Sequence, residues 1–142
     1  MATITQKMHV SHQPKQMFDL VCAVEEYPMF VTACVNGAVI NQGDGFDVVR
    51  LSFEKKGVSY SFTTKNTLSS PDKVHMELVD GPFRYLRGDW TFEPVTDGCV
   101  VAIHVDYEFN NVMLKMMFQS MFQQLIVDLL ESFCQRADKV YA

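Results

Sequence analysis

The chain of 142 residues predicts an α+β fold, in which a curved antiparallel sheet of about seven strands wraps around a long C-terminal helix. Three observations predict it. Apolar and polar residues alternate over most of the chain up to Phe109, as in strands with one buried face. Pro14 and Pro28 indicate two short helices after the first strand. From Asn111 onwards the apolar spacing becomes helical.

The first strand and the short helices are predicted in the first third of the chain. Ile4 and Val10 share one face of the first strand. Pro14 suits the first turn of a helix because its missing N–H costs nothing there. The segment EEYPMFV (25–31) resembles a second short helix, with Pro28 near its start.

Six further strands follow, each separated from the next by a turn signal. The first of them covers 34–41. The turns are predicted at QGDG (42–45), KKG (55–57), SSPD (69–72), DGP (80–82) and TDG (96–98). The apolar faces of the later strands carry Val49, Leu51 and Phe53, then Val58, Tyr60 and Phe62, then Val74, Met76 and Leu78, then Leu86, Trp90 and Phe92, and finally Cys99, Val101, Ile103, Val105 and Tyr107.

The C-terminal helix is predicted from Asn111 to about Tyr141, with Asn110 or Asn111 as its N-cap. Its apolar stripe consists of Leu114, Phe118, Phe122, Leu125, Leu129, Phe133 and Val140. A helix of about thirty residues is about 45 Å long, so it should lie across the concave face of the sheet. This order of elements is that of a helix-grip fold, expected to form one domain over residues 1–142.

Composition narrows the function classes. A hydrophobic content of 48% excludes a disordered chain. The net charge of −5 argues against a large general surface for nucleic acid. The four cysteines are far apart and the four histidines are scattered, which predicts free thiols in a reducing compartment and no metal site. With no signal peptide, transit segment or transmembrane run evident, the expected location is cytoplasmic.

Five motifs, in order and over almost the whole chain, resemble a known family. They are YPMF (27–30), SFTTKN (61–66), DGPF (80–83), LRGDWTF (86–92) and RADKVY (136–141). The chain resembles the START-like family of coenzyme Q-binding proteins and RatA ribosome-association toxins, within the polyketide cyclase-like superfamily. The lack of a transit segment favours a bacterial member.

The resemblance implies a hydrophobic cavity between sheet and helix, no catalytic cofactor, and two functions. The main interpretation is non-catalytic binding of ubiquinone or a related isoprenoid lipid in support of respiration, with bound ubiquinone and peripheral membrane contact. The alternative is a toxin that binds the large ribosomal subunit and blocks its association with the small subunit. The acidic charge balance and the inward aromatics favour the apolar ligand over the ribosome.

A glycine and several aromatics indicate where a ligand would bind. Gly88 interrupts the apolar row between Leu86 and Trp90, so that either the sheet bends there or room is left for the helix or a ligand. The predicted ligand-binding set is Tyr60, Phe62, Thr64, Gly88, Trp90, Phe92, Met113, Met117 and Met121. Aromatic walls suit a quinone ring, and the Thr64 hydroxyl could donate one hydrogen bond. Core packing alone also explains the aromatics.

The methionines widen the apolar arc in the first three turns of the C-terminal helix. Met113, Met117 and Met121 form a strip beside the main stripe. Extra apolar width needs a cover, which could be the short helices, a ligand, a membrane or a partner. Methionine is flexible enough for an adaptable contact.

Catalysis is not predicted. His75 and His104 fall on the polar faces of their strands, hence toward solvent, and no nucleophile–base pair or carboxylate pair stands out. Enzymes on related folds include cyclases, and a cyclase or hydratase activity would require turnover of a polyketide-like substrate.

Basic residues next to turns are the candidate ribosome contacts. They are Lys55, Lys56, Arg84 and Arg87. They are expected either as solvated turn charges or as a local patch for ribosomal RNA.

Overall fold

The computed structural model describes residues 2–141, so Met1 and Ala142, the ends of the predicted domain, lie outside the described residues. The strands are β1 (Ala2–Val10), β2 (Cys34–Gly43), β3 (Phe46–Lys55), β4 (Val58–Ser69), β5 (Lys73–Asp80), β6 (Phe83–Val95) and β7 (Gly98–Phe109). The helices are α1 (Pro14–Cys22), a 3₁₀ helix (Val24–Met29) and α2 (Val112–Val140). The predicted α+β helix-grip fold is confirmed.

All seven strands pair antiparallel in the order β1-β7-β6-β5-β4-β3-β2. Consecutive strands are neighbours except at β1, which joins the far edge beside β7 after the chain has passed through the two short helices. The predicted alternation holds along β1, where one face is half-buried and the other exposed, and along β7, where one face is buried and the other exposed or half-buried. One face of the sheet therefore supplies the core.

Helix α2 begins and ends close to the predicted positions. The Asn111 side chain accepts a hydrogen bond from the Leu114 N–H at 2.9 Å, which identifies Asn111 rather than Asn110 as the N-cap. Most of the predicted stripe is buried, including Phe122 and Phe133. Val140, the last residue of the helix, is exposed.

The two short helices pack against the C-terminal half of α2. The Phe133 ring lies 5.1 Å from that of Tyr27, and Arg136 approaches Glu26 at 3.8 Å. Near the end of α2, the Tyr141 hydroxyl donates to the Gln16 carbonyl at 3.1 Å. The first turns of α2 therefore receive no cover from these helices.

Three local details differ from the sequence predictions. Strand β2 continues to Gly43, so the turn contains Asp44 and Gly45 rather than four residues. The second short helix is a 3₁₀ helix, and Pro28 lies near its end rather than its start. The Tyr27 hydroxyl donates to the Val21 carbonyl within this segment. That internal bond links the 3₁₀ helix to α1.

Candidate ligand-binding site

A small apolar cavity lies between the concave face of the sheet and α2. Its volume is about 50 Å³. Phe62 and Trp90 contribute from the sheet, Phe122 and Ile126 from α2, and Tyr27 from the 3₁₀ helix. Such walls suit an apolar group, but typical small-molecule pockets measure about 300–1,000 Å³. As it stands, the cavity has room for a few water-sized groups only.

Four of the nine predicted ligand-binding residues line this cavity together: Phe62, Thr64, Gly88 and Trp90. Phe62 packs edge-on against Phe122, with ring centroids 6.2 Å apart. Trp90 packs edge-on against Phe133 at 5.3 Å. The alternation of β4 and β6 therefore turns these residues toward the cavity, and their binding of a ligand stays a prediction.

Two of the predicted aromatics lie elsewhere. Phe92 is buried beneath α1, where its ring lies 5.9 Å from that of Phe18, so it belongs to the core rather than to the cavity wall. Tyr60 stacks on Phe53 near the β3–β4 turn. It lines a separate cleft of about 20 Å³ together with Met121 and Lys55. Burial of its ring raises the pKa of the Tyr60 hydroxyl.

Met113 and Met117 also lie outside the cavity. They are 70% and 53% exposed, and Met116 beside them is 81% exposed. The prediction that this strip bounds the cavity is wrong in position, because α2 turns the side of Phe118 and Phe122 toward the sheet. Packing against the short helices, one of the four covers considered, leaves Met113 and Met117 exposed, whereas Met121 is half-buried against the core. The first turns of α2 therefore present an exposed methionine surface.

The polar group of the cavity is a side-chain pair on β4. Thr64 donates its hydroxyl proton to Asn66 Oδ1 at 2.8 Å. The hydroxyl is thus already engaged, contrary to the prediction that it would donate to a ligand. Asn66, which sequence reasoning missed, also lines the cavity, and its amide retains N–H donors. The signal was available, since Asn66 continues the inward series of Phe62 and Thr64.

Gly88 has a steric role in the sheet. A Cβ at this position would lie 2.5 Å from the His104 carbonyl oxygen and 3.2 Å from Val105 Cγ2. The missing side chain therefore permits close approach of β6 to β7, as well as leaving space beside the cavity. A larger side chain would collide with main chain before filling the cavity.

The four candidate ribosome contacts do not converge on one site. Lys55 and Lys56 are exposed at the β3–β4 turn. Arg87 lies on the outer face of the sheet, paired in register with Glu77 and Asp106. Arg84 lines an open pocket beside the start of α2. The basic residues thus form separate sites.

Titratable groups lie outside the cavity or are held neutral. Burial raises the pKa of the Cys22 thiol to about 12 and that of Cys134 to about 11, so both stay protonated at neutral pH. His75 and His104 lie on the outer face, as predicted; His75 Nδ1 is 2.8 Å from Asp89 Oδ1. Within residues 2–141 no group of three His, Cys, Asp or Glu side chains is placed to hold a metal ion.

These features define a class: a helix-grip domain whose sheet and long helix enclose an apolar cavity. The profile of the family described as polyketide cyclase/dehydrase and lipid transport matches residues 10–134. The chain belongs to this family, and the predicted START-like membership is confirmed. Helices long and apolar enough to cross a membrane were not found between residues 2 and 141.

Within this family, the chain is similar to proteins with two different kinds of name. The chain is 34% identical to the ribosome association toxin RatA of Escherichia coli K12, over 100% of this chain and 90% of that protein. It is 35% identical to RatA of Vibrio cholerae, over 99% of both chains. The mitochondrial coenzyme Q-binding protein COQ10 homolog B of Xenopus laevis is 23% identical, over 89% of this chain and 54% of that protein.

Solved structures share the fold. The Zhui aromatase/cyclase from a Streptomyces species superposes with a TM-score of 0.89 at 13% identity, over 99% of this chain and 96% of that one. At this identity the likeness shows the fold alone.

Proposed function

We propose that this protein binds the large ribosomal subunit without catalysing a reaction, and thereby blocks association with the small subunit. The observation that carries the proposal is full-length similarity, at 34–35% identity, to proteins named ribosome association toxins. The named coenzyme Q-binding relative is less similar and matches over 54% of its length. A ribosomal partner also implies action in the cytoplasm.

The small size of the interior cavity also favours ribosome binding over quinone binding. A cavity of about 50 Å³ is several times smaller than typical ligand pockets, which begin at about 300 Å³. A quinone ring would enter only if α2 or the side chains around it moved. A surface function needs no such rearrangement.

The test is sedimentation of ribosomes with added protein. Purified protein at increasing concentration is mixed with ribosomes and run on a sucrose gradient. We expect it to co-sediment with large subunits, while the peak of joined ribosomes falls and free subunits increase. Protein that stays at the top of the gradient and leaves the profile unchanged would refute the proposal. A heat-unfolded sample controls for non-specific trapping.

A second candidate function is binding of ubiquinone or another apolar ligand, which the cavity chemistry favours. Phe62, Gly88 and Trp90 give it flat apolar walls, and Thr64 with Asn66 gives it a polar group. Trp90 is the only tryptophan in the sequence. Its fluorescence therefore reports directly on the cavity.

Titration with a short-chain ubiquinone tests this candidate. Entry into the cavity should quench Trp90 fluorescence with saturation, and Ile126→Ala, which enlarges the cavity, should strengthen the quenching. Met113→Gln, outside the cavity, serves as the control. Quenching that is linear in quinone and equal in all three proteins would indicate collisions in solution and exclude a bound quinone.

A further inference from the structure

The outer, convex face of the sheet carries its charges unevenly. Carboxylates concentrate on β5, β6 and β7, where the side chains that point away from the core include Glu77, Asp89, Glu93, Asp106 and Glu108. Two cations in this half are paired with them: Lys73 Nζ lies 3.4 Å from Asp89 Oδ1, and His104 Nε2 lies 3.3 Å from Asp106 Oδ1. This half of the face therefore repels a polyanion.

The half formed by β3 and β4 carries cations without carboxylate partners. Arg50 and Lys65 are both exposed there, and Lys65 lies one strand across and two positions along from Arg50. Neither forms an ion pair with another of the described residues 2–141. Lys55 and Lys56 continue the row at the β3–β4 turn, about 17 Å from Arg50 along the strand.

Uncharged neighbours hold these two cations in place. Arg50 Nε donates to Thr63 Oγ1 at 3.4 Å, so the N–H groups on the terminal guanidinium nitrogens remain as donors for a ligand. Lys65 Nζ lies 4.6 Å from the centroid of the Phe46 ring. On its other side the ring approaches Gly43, where a Cβ would lie 2.3 Å from Phe46 Cε1. A base could stack on Phe46 only by displacing Lys65.

Serine hydroxyl groups lie between Arg50 and the turn. They belong to Ser59 and Ser61, which are exposed, and to Ser52, which is half-buried. Arginine, lysine and serine side chains are groups that contact phosphate and sugar oxygens in nucleic-acid complexes. The wide, shallow minor groove of an RNA duplex displays its 2′-hydroxyls to such groups. A row of cations and hydroxyls without an open aromatic ring therefore fits a duplex backbone better than an unpaired base.

We infer that the outer face of β3 and β4 binds the backbone of double-stranded RNA, with Arg50 and Lys65 on its phosphates. The inference rests on the proposed function, because it takes helices of ribosomal RNA as the source of that duplex. Glu54 lies on the same face of β3, and Glu77 and Asp80 lie on the neighbouring strand β5. Their carboxylates limit the affinity and confine the contact to β3 and β4.

Fluorescence anisotropy with a labelled RNA hairpin of about 16 base pairs tests this inference, since double-stranded RNA-binding domains span a duplex of that length. The salt concentration is varied between about 50 and about 200 mM KCl. We expect saturable binding that is tighter for the hairpin than for an RNA single strand or a DNA hairpin. Lys65→Gln should weaken binding about tenfold at the lowest salt, the effect of losing one charge-assisted hydrogen bond. The log–log salt slope should fall by about 0.9, the value for one phosphate contact on duplex DNA.

Matched variants separate a local contact from net charge. Lys7→Gln removes one exposed cation from the outer face at the opposite edge of the sheet and should leave the affinity unchanged. Glu54→Gln should strengthen binding, whereas Glu93→Gln, which changes the net charge equally on the acidic half, should not. Unfolding midpoints should be alike in all four proteins, since these side chains are exposed. Equal affinities for Lys65→Gln and Lys7→Gln, or a preference for the single strand, would overturn the inference.

The ribosome gradient distinguishes failure of this inference from failure of the proposed function. If wild type and Lys65→Gln co-sediment equally with large subunits, the inference is overturned while ribosome binding stands. If wild type binds the hairpin in the expected way but leaves the gradient unchanged, the RNA-binding face is supported and the proposed function fails.

Discussion

The close main-chain contact between β6 and β7 limits which side chains can replace Gly88. Gly88→Ala places a methyl group 2.5 Å from the His104 carbonyl oxygen, so a strand must shift. We expect a loss of about 1–3 kcal/mol in unfolding free energy, the usual cost of overpacking. Urea denaturation measures it. Thr91→Ala, exposed on the same strand, is the control, and equal midpoints for both variants would contradict the steric role.

His75 makes stability depend on pH. The protonated ring donates from Nε2 to Glu77 at 2.9 Å and from Nδ1 to Asp89 at 2.8 Å, and these hydrogen bonds raise the pKa of His75 above its ordinary value. A raised pKa in the folded state adds stability that is complete below the unfolded value and is lost as pH rises through the folded value. The melting temperature of wild type should therefore exceed that of His75→Gln most at low pH.

Thermal melts between about pH 5.5 and about pH 8.5 begin below the unfolded pKa of histidine and extend above it. They therefore cover the pH range in which the contribution of His75 should be lost. The difference between wild type and His75→Gln should shrink steadily across it. Asp89→Asn, which removes one partner of His75, should flatten the dependence. A difference that grows with pH would show that the sign is wrong.

The N-cap of α2 can be tested against its neighbour. Asn111 Oδ1 accepts from the Leu114 N–H at 2.9 Å, whereas a side-chain cap bond from Asn110 is not among those of the described residues. Asn111→Ala should cost about 1 kcal/mol, the typical value of a lost N-cap. Asn110→Ala should cost much less. Denaturant midpoints for the pair distinguish the two positions, which the sequence alone left open.

The methionine strip of α2 should tolerate polar substitution. Met117 is half-exposed, so Met117→Gln should change the unfolding free energy by less than about 0.5 kcal/mol, as at other surface positions. Phe118, the next residue, is buried, and Phe118→Ala should cost about 3–5 kcal/mol. If Met117→Gln unfolds the protein, the strip is core after all.

Periodicity predicted which residues share a face, but not which part of the molecule covers that face. The alternation along β4 and β6 placed Phe62, Thr64 and Trp90 inward, because side chains on a strand strictly alternate. A helix allows continuous rotation, so the same reasoning could not tell that Met117 faces outward. The engagement of Thr64 by Asn66 depends on side-chain rotamers, which no sequence pattern specifies.

At the scale of the whole molecule, the larger of two pockets is peripheral and the smaller one is interior. The interior cavity of about 50 Å³ contrasts with about 370 Å³ in the pocket beside the start of α2. Phe122 belongs to the cavity wall and also packs on Tyr107, which lines the outer pocket. Because the same aromatic side chains restrict the interior cavity and form the core, we expect binding of a partner at the surface rather than storage of a lipid inside.

Surface recognition of a ribosome should respond to charge at the β3–β4 turn. Lys55 and Lys56 are both exposed. Neither forms an ion pair with another of the described residues 2–141. If they contact ribosomal phosphates, replacing both with Glu should weaken co-sedimentation and make it less sensitive to salt. By analogy with nucleic-acid binding, the log–log salt dependence should lose roughly one unit of slope for each phosphate contact removed.

The control for this prediction is Lys139→Glu, a charge reversal at the far end of α2, where the side chain is also exposed. Lys139→Glu changes the net charge by two, whereas the double variant changes it by four. The single variants Lys55→Glu and Lys56→Glu, which also change it by two, are therefore the ones to compare with Lys139→Glu. Unfolding midpoints should be alike in all of them, since these surface lysines contribute little to folding. An equal loss of co-sedimentation in Lys139→Glu would mean that net charge alone governs binding. If the double variant still co-sediments like the wild type, the ribosome contact does not lie at this turn, and Arg84 and Arg87 become the candidates to test.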